Sequence, residues 1–341
     1  MHDRSQPPLI LFRADASPRI GTGHIMRCLT LAEKLAQQGF AIGFVSTPET
    51  VATVPRLARS GYPIHTELPP SAELLVIDHY GLGDEYERTA AARVGHLMAI
   101  DDLPIRRHLC SLLLDQTYGR DAGEWRHLLP PEAVILAGAQ YALLRPEFAK
   151  LRRAALTRRS GGPAKQILIS LGGTDPDNVT GAILAALDGS GLDLAIDVVM
   201  GSRSPHLDRI RAQIDGKPVA LHTDLDSLAP LMVQADLAIG AGGTTSWERC
   251  CLGLPTVVLE IADNQRDVIS HLLKADAAID GGPCKPLDPP DFRNRIGSIV
   301  LDSNRLAAVA ANAARLCDGN GALRVAEAIT SLLSSSSRNP T

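Results

Sequence analysis

The 341-residue chain has no apolar run long enough to span a bilayer. Its start, "MHDRSQPP", lacks the apolar core of a secretory signal. These absences predict a soluble, cytoplasmic protein without membrane insertion. An excess of either charge is also missing: 34 basic and 38 acidic residues give a formal net charge of -4. With no long basic stretch, nothing electrostatic favours nucleic acid or an anionic membrane as a partner. Cysteine is scarce, at six residues, with no Cys-x-x-Cys pair and no neighbouring histidine at zinc spacing. The cysteines read as reduced core thiols, with no metal or disulfide framework. Long low-complexity tracts are absent as well.

What is present is enough hydrophobic sequence, 45%, to bury the cores of two domains. Short apolar runs alternate with helix-like segments from residue 9 onward, the pattern of parallel sheets with crossover helices. Strands are expected near Ile10 to Arg13, Ala41 to Val45, Leu74 to Ile77, His96 to Ile100, Leu112 to Leu114 and Val134 to Leu136. The cationic, then glycine-containing stretch "KLRRAALTRRSGGPAKQ" interrupts the series, which restarts at "QILISLGG" with strands near Ala195 to Val199, Val219 to His222, Leu237 to Ile239 and Thr256 to Leu259. The expected division is residues 1–155 and 156–330, each an α/β, Rossmann-like, doubly wound domain facing a cleft, followed by a frayed tail at 331–341. Ligands of such sheets sit beyond the carboxyl ends of the strands.

In the first half those ends carry Arg13, Asp15, His24, Asp78, Tyr80, Asp101, Asp102 and Asp115, a rim suited to a polar, hydroxyl-rich substrate. A nicotinamide dinucleotide site is excluded. Gly21 and Gly23 are followed by Met26 where a third glycine should stand, and the second strand ends in Ser46 and Thr47 without an acidic ribose ligand. His24 falls at the first turn of a helix whose apolar positions Ile25, Cys28, Leu29, Ala32, Leu35 and Ala36 keep helical spacing. The helix N-terminus favours a neutral imidazole. Spacing leaves two roles open: taking a proton from water, or donating one hydrogen bond. Asp15 or Asp78 could orient the ring, while Arg13, Arg19 and Arg27 are local cations.

In the second half, "GAGGTTSWERCCLGLPTVVLEIADNQ" runs a strand into Gly242, Gly243 and Thr244, starts a helix near Thr245, and delivers Asn264 and Gln265 after a further strand. Glycines admit an anion close to backbone amides, so this turn can hold a diphosphate. Glu248 fits either a ligand role or a capping box opened by Thr245. In "SLGGTDPDN", Asp175 is placed to cap a helix with Pro176 at its first position, and Gly172 and Gly173 to permit close approach.

Together, "RADASPRIGTGHIMRCLTLAEKL", "IDHYGLG", "AIDDLP", "DQTYGR", "YALLRPEF", "ISLGGTDP" and the Gly242 segment resemble the UDP-sugar hydrolases of pseudaminic acid biosynthesis, over about residues 9 to 330. The Gly-x-Gly-His and Gly-Gly-Thr elements are also similar to those of the lipid II N-acetylglucosaminyltransferases, which share the two-domain GT-B fold. The resemblance implies a GT-B fold with UDP on the C-terminal domain and the sugar on the N-terminal one. It implies inverting hydrolysis of UDP-2,4-diacetamido-2,4,6-trideoxy-β-L-altropyranose by water activated at His24, with no cofactor and no metal. Asp15 and Tyr80 join His24 as expected catalytic residues. Arg13, Gly21, Gly23, Asp78, Gly172, Gly173, Gly242, Gly243, Thr244, Thr245, Glu248, Asn264 and Gln265 form the expected binding set, with Glu248 on the ribose. Thr117 stands where the family carries asparagine. The expected partners are the UDP-sugar and water, and the expected state is a monomer or weak homo-oligomer. A GT-B transferase using the same base on an acceptor hydroxyl is the alternative, and a non-catalytic UDP-sugar binder the second.

Overall fold

The computed structural model describes residues 7–17, 20–159, 161–188 and 190–336. They form two units, each built on a parallel sheet. The first sheet contains β1 (Leu9–Ala14), β2 (Ala41–Val45), β3 (Ile64–His65), β4 (Ala72–Asp78), β5 (Val94–Ile100), β6 (Leu112–Asp115) and β7 (Val134–Ala137). Its order is β3-β2-β1-β4-β5-β6-β7. Both faces are covered: Ile10, Phe12 and Ala14 of β1 enter one apolar cluster and Leu11 enters another, which is why the strand is a continuous apolar run.

The second sheet contains β8 (Gln166–Ser170), β9 (Ala195–Met200), β10 (Val219–Thr223), β11 (Leu237–Ala241), β12 (Thr256–Leu259) and β13 (Ile279–Asp280), in the order β10-β9-β8-β11-β12-β13. Every strand pairing in both sheets is parallel among the described residues. The strand order reverses between β1 and β4 in the first unit and between β8 and β11 in the second. A crevice opens beyond the strand ends at each such reversal.

The division of the chain differs from the expected one. The first unit holds the chain up to Arg145 and again from Asn320, and the second holds Pro146–Gly319. The helix Pro146–Arg158 belongs to the second unit because Arg152 within it and Arg159 just after it cap helix ends there. Arg152 donates to the carbonyls of Cys251, Ala314 and Cys317, and Arg159 to those of Met232 and Ala235. The segment from residue 331, expected to fray, continues the helix Gly321–Ser336, and residues 337–341 lie outside the described residues. Val325, Ala326 and Ile329 of that helix are fully buried in the cluster that also holds Ile25, Leu29 and Ala32 of α1 (Gly23–Gln37).

All six cysteines are free and buried. Among the described residues no helix is long and apolar enough to cross a membrane.

Candidate functional site

In the first unit, the reversal point between β1 and β4 brings His24 and Asp78 together. Gly21 adopts φ +84, a backbone that L side chains rarely take, and turns the chain from β1 into α1. Thr22 occupies the N-cap, Gly23 opens the helix, and His24 stands at its second position. Asp78 is the last residue of β4, and its side chain is fully buried.

Four donors converge on the Asp78 carboxylate: His24 Nδ1 at 2.5 Å, Arg27 Nε at 2.5 Å, Arg27 Nη2 at 2.6 Å and the Cys28 thiol at 3.6 Å. Burial works to neutralise Asp78, but the Arg27 charge and the His24 contact outweigh it and hold the carboxyl well below its usual range. An ionised Asp78 only accepts, so the 2.5 Å contact to Nδ1, shorter than the 3.2 Å from Nδ1 to Arg27 Nη2, assigns a proton to Nδ1 toward Asp78 and leaves Nε2 outward. Tyr80 packs edge-on to His24, ring centroids 5.0 Å apart, and its hydroxyl donates to Asp102 at 2.7 Å. With Nδ1 held by Asp78 and the 36% exposed Tyr80 beside the ring, Nε2 of His24 is placed to take a proton from a bound water or alcohol.

Asp15 does not share this role. It accepts from Arg13 at 2.7 Å, from the Thr47 amide at 3.0 Å and from the Thr50 hydroxyl at 3.0 Å. Burial opposes its ionisation, but Arg13 and these hydrogen bonds bring the carboxyl down to about 2. Arg13 and Asp15 thus saturate each other, and Asp78 is the carboxylate that orients His24. Arg27, expected only as a local cation, is buried. It lies one helical turn after His24, so both side chains reach the same carboxylate. Arg19 lies outside the described residues.

In the second unit, the reversal point between β8 and β11 carries both glycine turns. Gly172 takes φ +104, and neither it nor Gly173 has an atom within 4 Å of where a Cβ would be. The close approach is made by Gly201, where a Cβ would meet the Gly173 carbonyl at 2.5 Å. Asp175 is not the N-cap, which is Asn178, but its carboxylate still accepts from the Val179 and Thr180 amides at 2.9 Å each. The helix nevertheless begins at Val179, so Pro176 sits in the preceding turn.

Gly242 is required by packing, since a Cβ there would stand 2.5 Å from Ile269, whereas Gly243 faces open space. Thr244 is the N-cap of the helix Thr245–Cys251 and makes no side-chain cap bond. Glu248 therefore occupies the fourth helical position, out of register for the expected capping box, and is half-buried. The Gln265 side-chain oxygen Oε1 accepts from the Gly242 and Ile261 amides at 3.3 and 3.2 Å, tying the loop after β12 to the glycine turn. Asn264 is exposed on the short turn Asp263–Gln265.

Beneath this turn lies a residue outside the expected set. Arg249 is 3% exposed and donates to the Ala241 carbonyl at 2.6 Å and the Ser246 hydroxyl at 3.0 Å, bridging strand end and helix start. Its Nε has no partner, and desolvation brings the guanidinium down to about 10. A Cβ on Gly240 would meet Arg249 at 2.5 Å, so that glycine makes room for it. Among the described residues, no group of three or more His, Cys, Asp or Glu is placed to hold a metal ion.

Comparison with known proteins gives no matching family model. The chain is 25% identical over 327 residues to the spore coat polysaccharide biosynthesis protein SpsG of Bacillus subtilis, covering 92% of this chain and 95% of that one. It is 25% identical over 277 residues to the UDP-2,4-diacetamido-2,4,6-trideoxy-beta-L-altropyranose hydrolase of Campylobacter jejuni, covering 78% and 96%. An uncharacterised Methanocaldococcus jannaschii protein, MJ1062, is likewise 25% identical over 278 residues. The match spans 76% of this chain but 57% of that longer protein. Among solved structures, Acinetobacter baumannii MurG superposes with a TM-score of 0.67 over 95% of this chain and 99% of its own, at 14% identity. The calicheamicin glycosyltransferase CalG4 does so with a TM-score of 0.63 over 96% and 98%, also at 14%. The fold is GT-B.

Proposed function

We propose that the protein hydrolyses a UDP-linked sugar, with UDP-2,4-diacetamido-2,4,6-trideoxy-β-L-altropyranose as the substrate. The observation that carries this reading is the His24–Asp78 pair at the reversal point of the first sheet, with Nδ1 anchored and Nε2 free. The similarity to the Campylobacter jejuni hydrolase supports the choice of substrate.

In this mechanism His24 Nε2 takes a proton from water as the water oxygen bonds to the anomeric carbon. The bond from that carbon to the diphosphate oxygen breaks on the opposite face, inverting the centre and releasing UDP. Asp78 holds the imidazole and stabilises the imidazolium it becomes. The first unit takes the sugar, with Tyr80 at its edge, and the second takes UDP. There the Gly243–Thr245 turn receives the diphosphate, with the Arg249 charge behind it, and Glu248 receives the ribose hydroxyls. Charge growing on the leaving diphosphate is stabilised by donors already in place.

The test is release of UDP from that donor, with no acceptor and with chelator present, in oxygen-18 water. Label on the sugar's anomeric oxygen is the expected result. Label on the phosphate would overturn the mechanism. The fold shared with described glycosyltransferases favours a second reading, in which His24 deprotonates an acceptor hydroxyl. Binding without release until an acceptor is added would select it, and binding with no turnover under any condition would indicate a silent binder.

A further inference from the structure

Behind the Tyr80 loop runs a line of buried charges that the mechanism above does not use. Glu87, from the helix Asp84–Ala91, has a fully buried side chain and meets His108 Nδ1 at 2.6 Å. The other ring nitrogen, Nε2, meets Asp101 Oδ2 at 3.1 Å, just past the end of β5. Arg106 donates to the same oxygen through Nε at 3.1 Å and also through Nη2. Its remaining Nη1 donates to the Tyr80 carbonyl, and the guanidinium lies over the Tyr80 ring, 5.7 Å from its centroid. The charges alternate from Glu87 through His108 and Asp101 to Arg106. The line ends on the backbone of the residue whose ring edges His24.

Placing three ionised groups in a core costs several kcal/mol each before pairing, and apolar side chains of the same volume often stabilise a fold as well or better. What the line supplies is direction. Both nitrogens of His108 face carboxylates, so both must carry protons to be satisfied.

We propose that His108 is a positioning residue: through Asp101 and Arg106 it fixes the Tyr80 loop so that the Tyr80 ring stands at the edge of His24. This rests on the reading of His24 as the base. The groups facing His108 are Glu87, Asp101 with Arg106 behind it, and the Trp125 ring at 5.9 Å, with the Cys110 thiol near Glu87. Burial lowers His108, but the hydrogen bonds to Asp101 and Glu87 outweigh it and raise the imidazole from 6.5 to about 9. Because the folded value is the higher one, the stabilising contribution is complete below about 6.5 and is lost as the pH rises through about 9. Cys110, pushed up to about 12 by burial, stays neutral across that range.

The experiment measures UDP release by the full chain from pH 6 to 10 for the wild type, His108→Gln and Arg106→Lys. Tyrosine labelled with carbon-13 at Cζ reports the ring environment by NMR. Five tyrosines give five signals, and Tyr80→Phe assigns the one that matters. In the wild type the Tyr80 signal and kcat/KM should change together with a midpoint near 9. Tyr80 does not itself titrate there, because burial and the Asp102 carboxylate push its hydroxyl above its ordinary value. In His108→Gln, kcat should fall about ten- to a hundredfold at pH 7, the alkaline limb should vanish, and UDP affinity should hold. Arg106→Lys leaves the Glu87–His108–Asp101 contacts in place and should shift the Tyr80 signal even if His108→Gln fails to fold. A Tyr80 signal unmoved in the folded variants, or kcat/KM within about twofold of wild type, overturns the proposal. If no variant, wild type included, releases UDP while the Tyr80 signal still follows His108, hydrolysis is the reading that fails and the positioning role stands.

Discussion

Arg27 and Arg249 are both buried guanidinium groups, each set close to a strand end at the reversal point of its own sheet, and they are partnered in opposite ways. Arg27 lies against the Asp78 carboxylate with two nitrogens; burial works against its charge, but the pairing with Asp78 outweighs burial and leaves it more firmly charged than usual. Arg249 has carbonyl and hydroxyl acceptors but, among the described residues, no carboxylate at bridging distance, and desolvation dominates. A buried cation whose anion is built in belongs to machinery complete before the substrate arrives. A buried cation without one is stabilised further when an anion binds nearby. The first unit thus carries its counter-charge built in, whereas the second leaves a buried cation open to further pairing.

Breaking the preset side should give the largest effect. His24→Ala should lower turnover by about a hundred- to ten-thousandfold while titration calorimetry shows UDP affinity within about twofold of wild type. Asp78→Asn should cost about a hundredfold in turnover. It should also cost roughly 3–5 kcal/mol in urea unfolding, because Arg27 loses its buried anion. Arg249→Met sharpens the contrast: UDP binding should weaken about tenfold, while stability holds or rises by about 1–2 kcal/mol, since an uncompensated charge has been removed. Equal destabilisation by Asp78→Asn and Arg249→Met would erase the distinction between the two arginines. The smallest effects concern backbone approach. Gly201→Ala drives a Cβ against a carbonyl and should cost about 1–3 kcal/mol, whereas Gly173→Ala points into open space and should stay within about 0.5 kcal/mol.

What the sequence reveals tracks how local the cause is. The strand Ala41–Val45 and the strand Thr256–Leu259 are recovered to the residue because each is a closed apolar run between breakers. β3 and β13, two residues each, carry too little periodicity to be seen. The glycine turns and the place of His24 at a helix start are equally local. Their partners are not: Arg27 and Asp78 are 51 positions apart, and nothing in either segment names the other. The charge line through Glu87, His108 and Arg106 joins the middle of one helix to the loop after β5 and is invisible until they pack. A one-residue difference in where the helix at Thr245 begins was enough to move Glu248 out of its capping register.

The return of the helix Gly321–Ser336 to the first unit governs the order in which the protein can be completed. Val325, Ala326 and Ile329 close the core against the helix that carries His24, yet they are synthesised only after the whole of Pro146–Gly319. At typical elongation rates that interval lasts on the order of ten seconds or more. Throughout it, the nascent first unit has its strands but not its lid of apolar side chains, while the second can already fold as a continuous stretch. The continuous second unit is therefore free to mature first, and the unit that carries His24 is finished last.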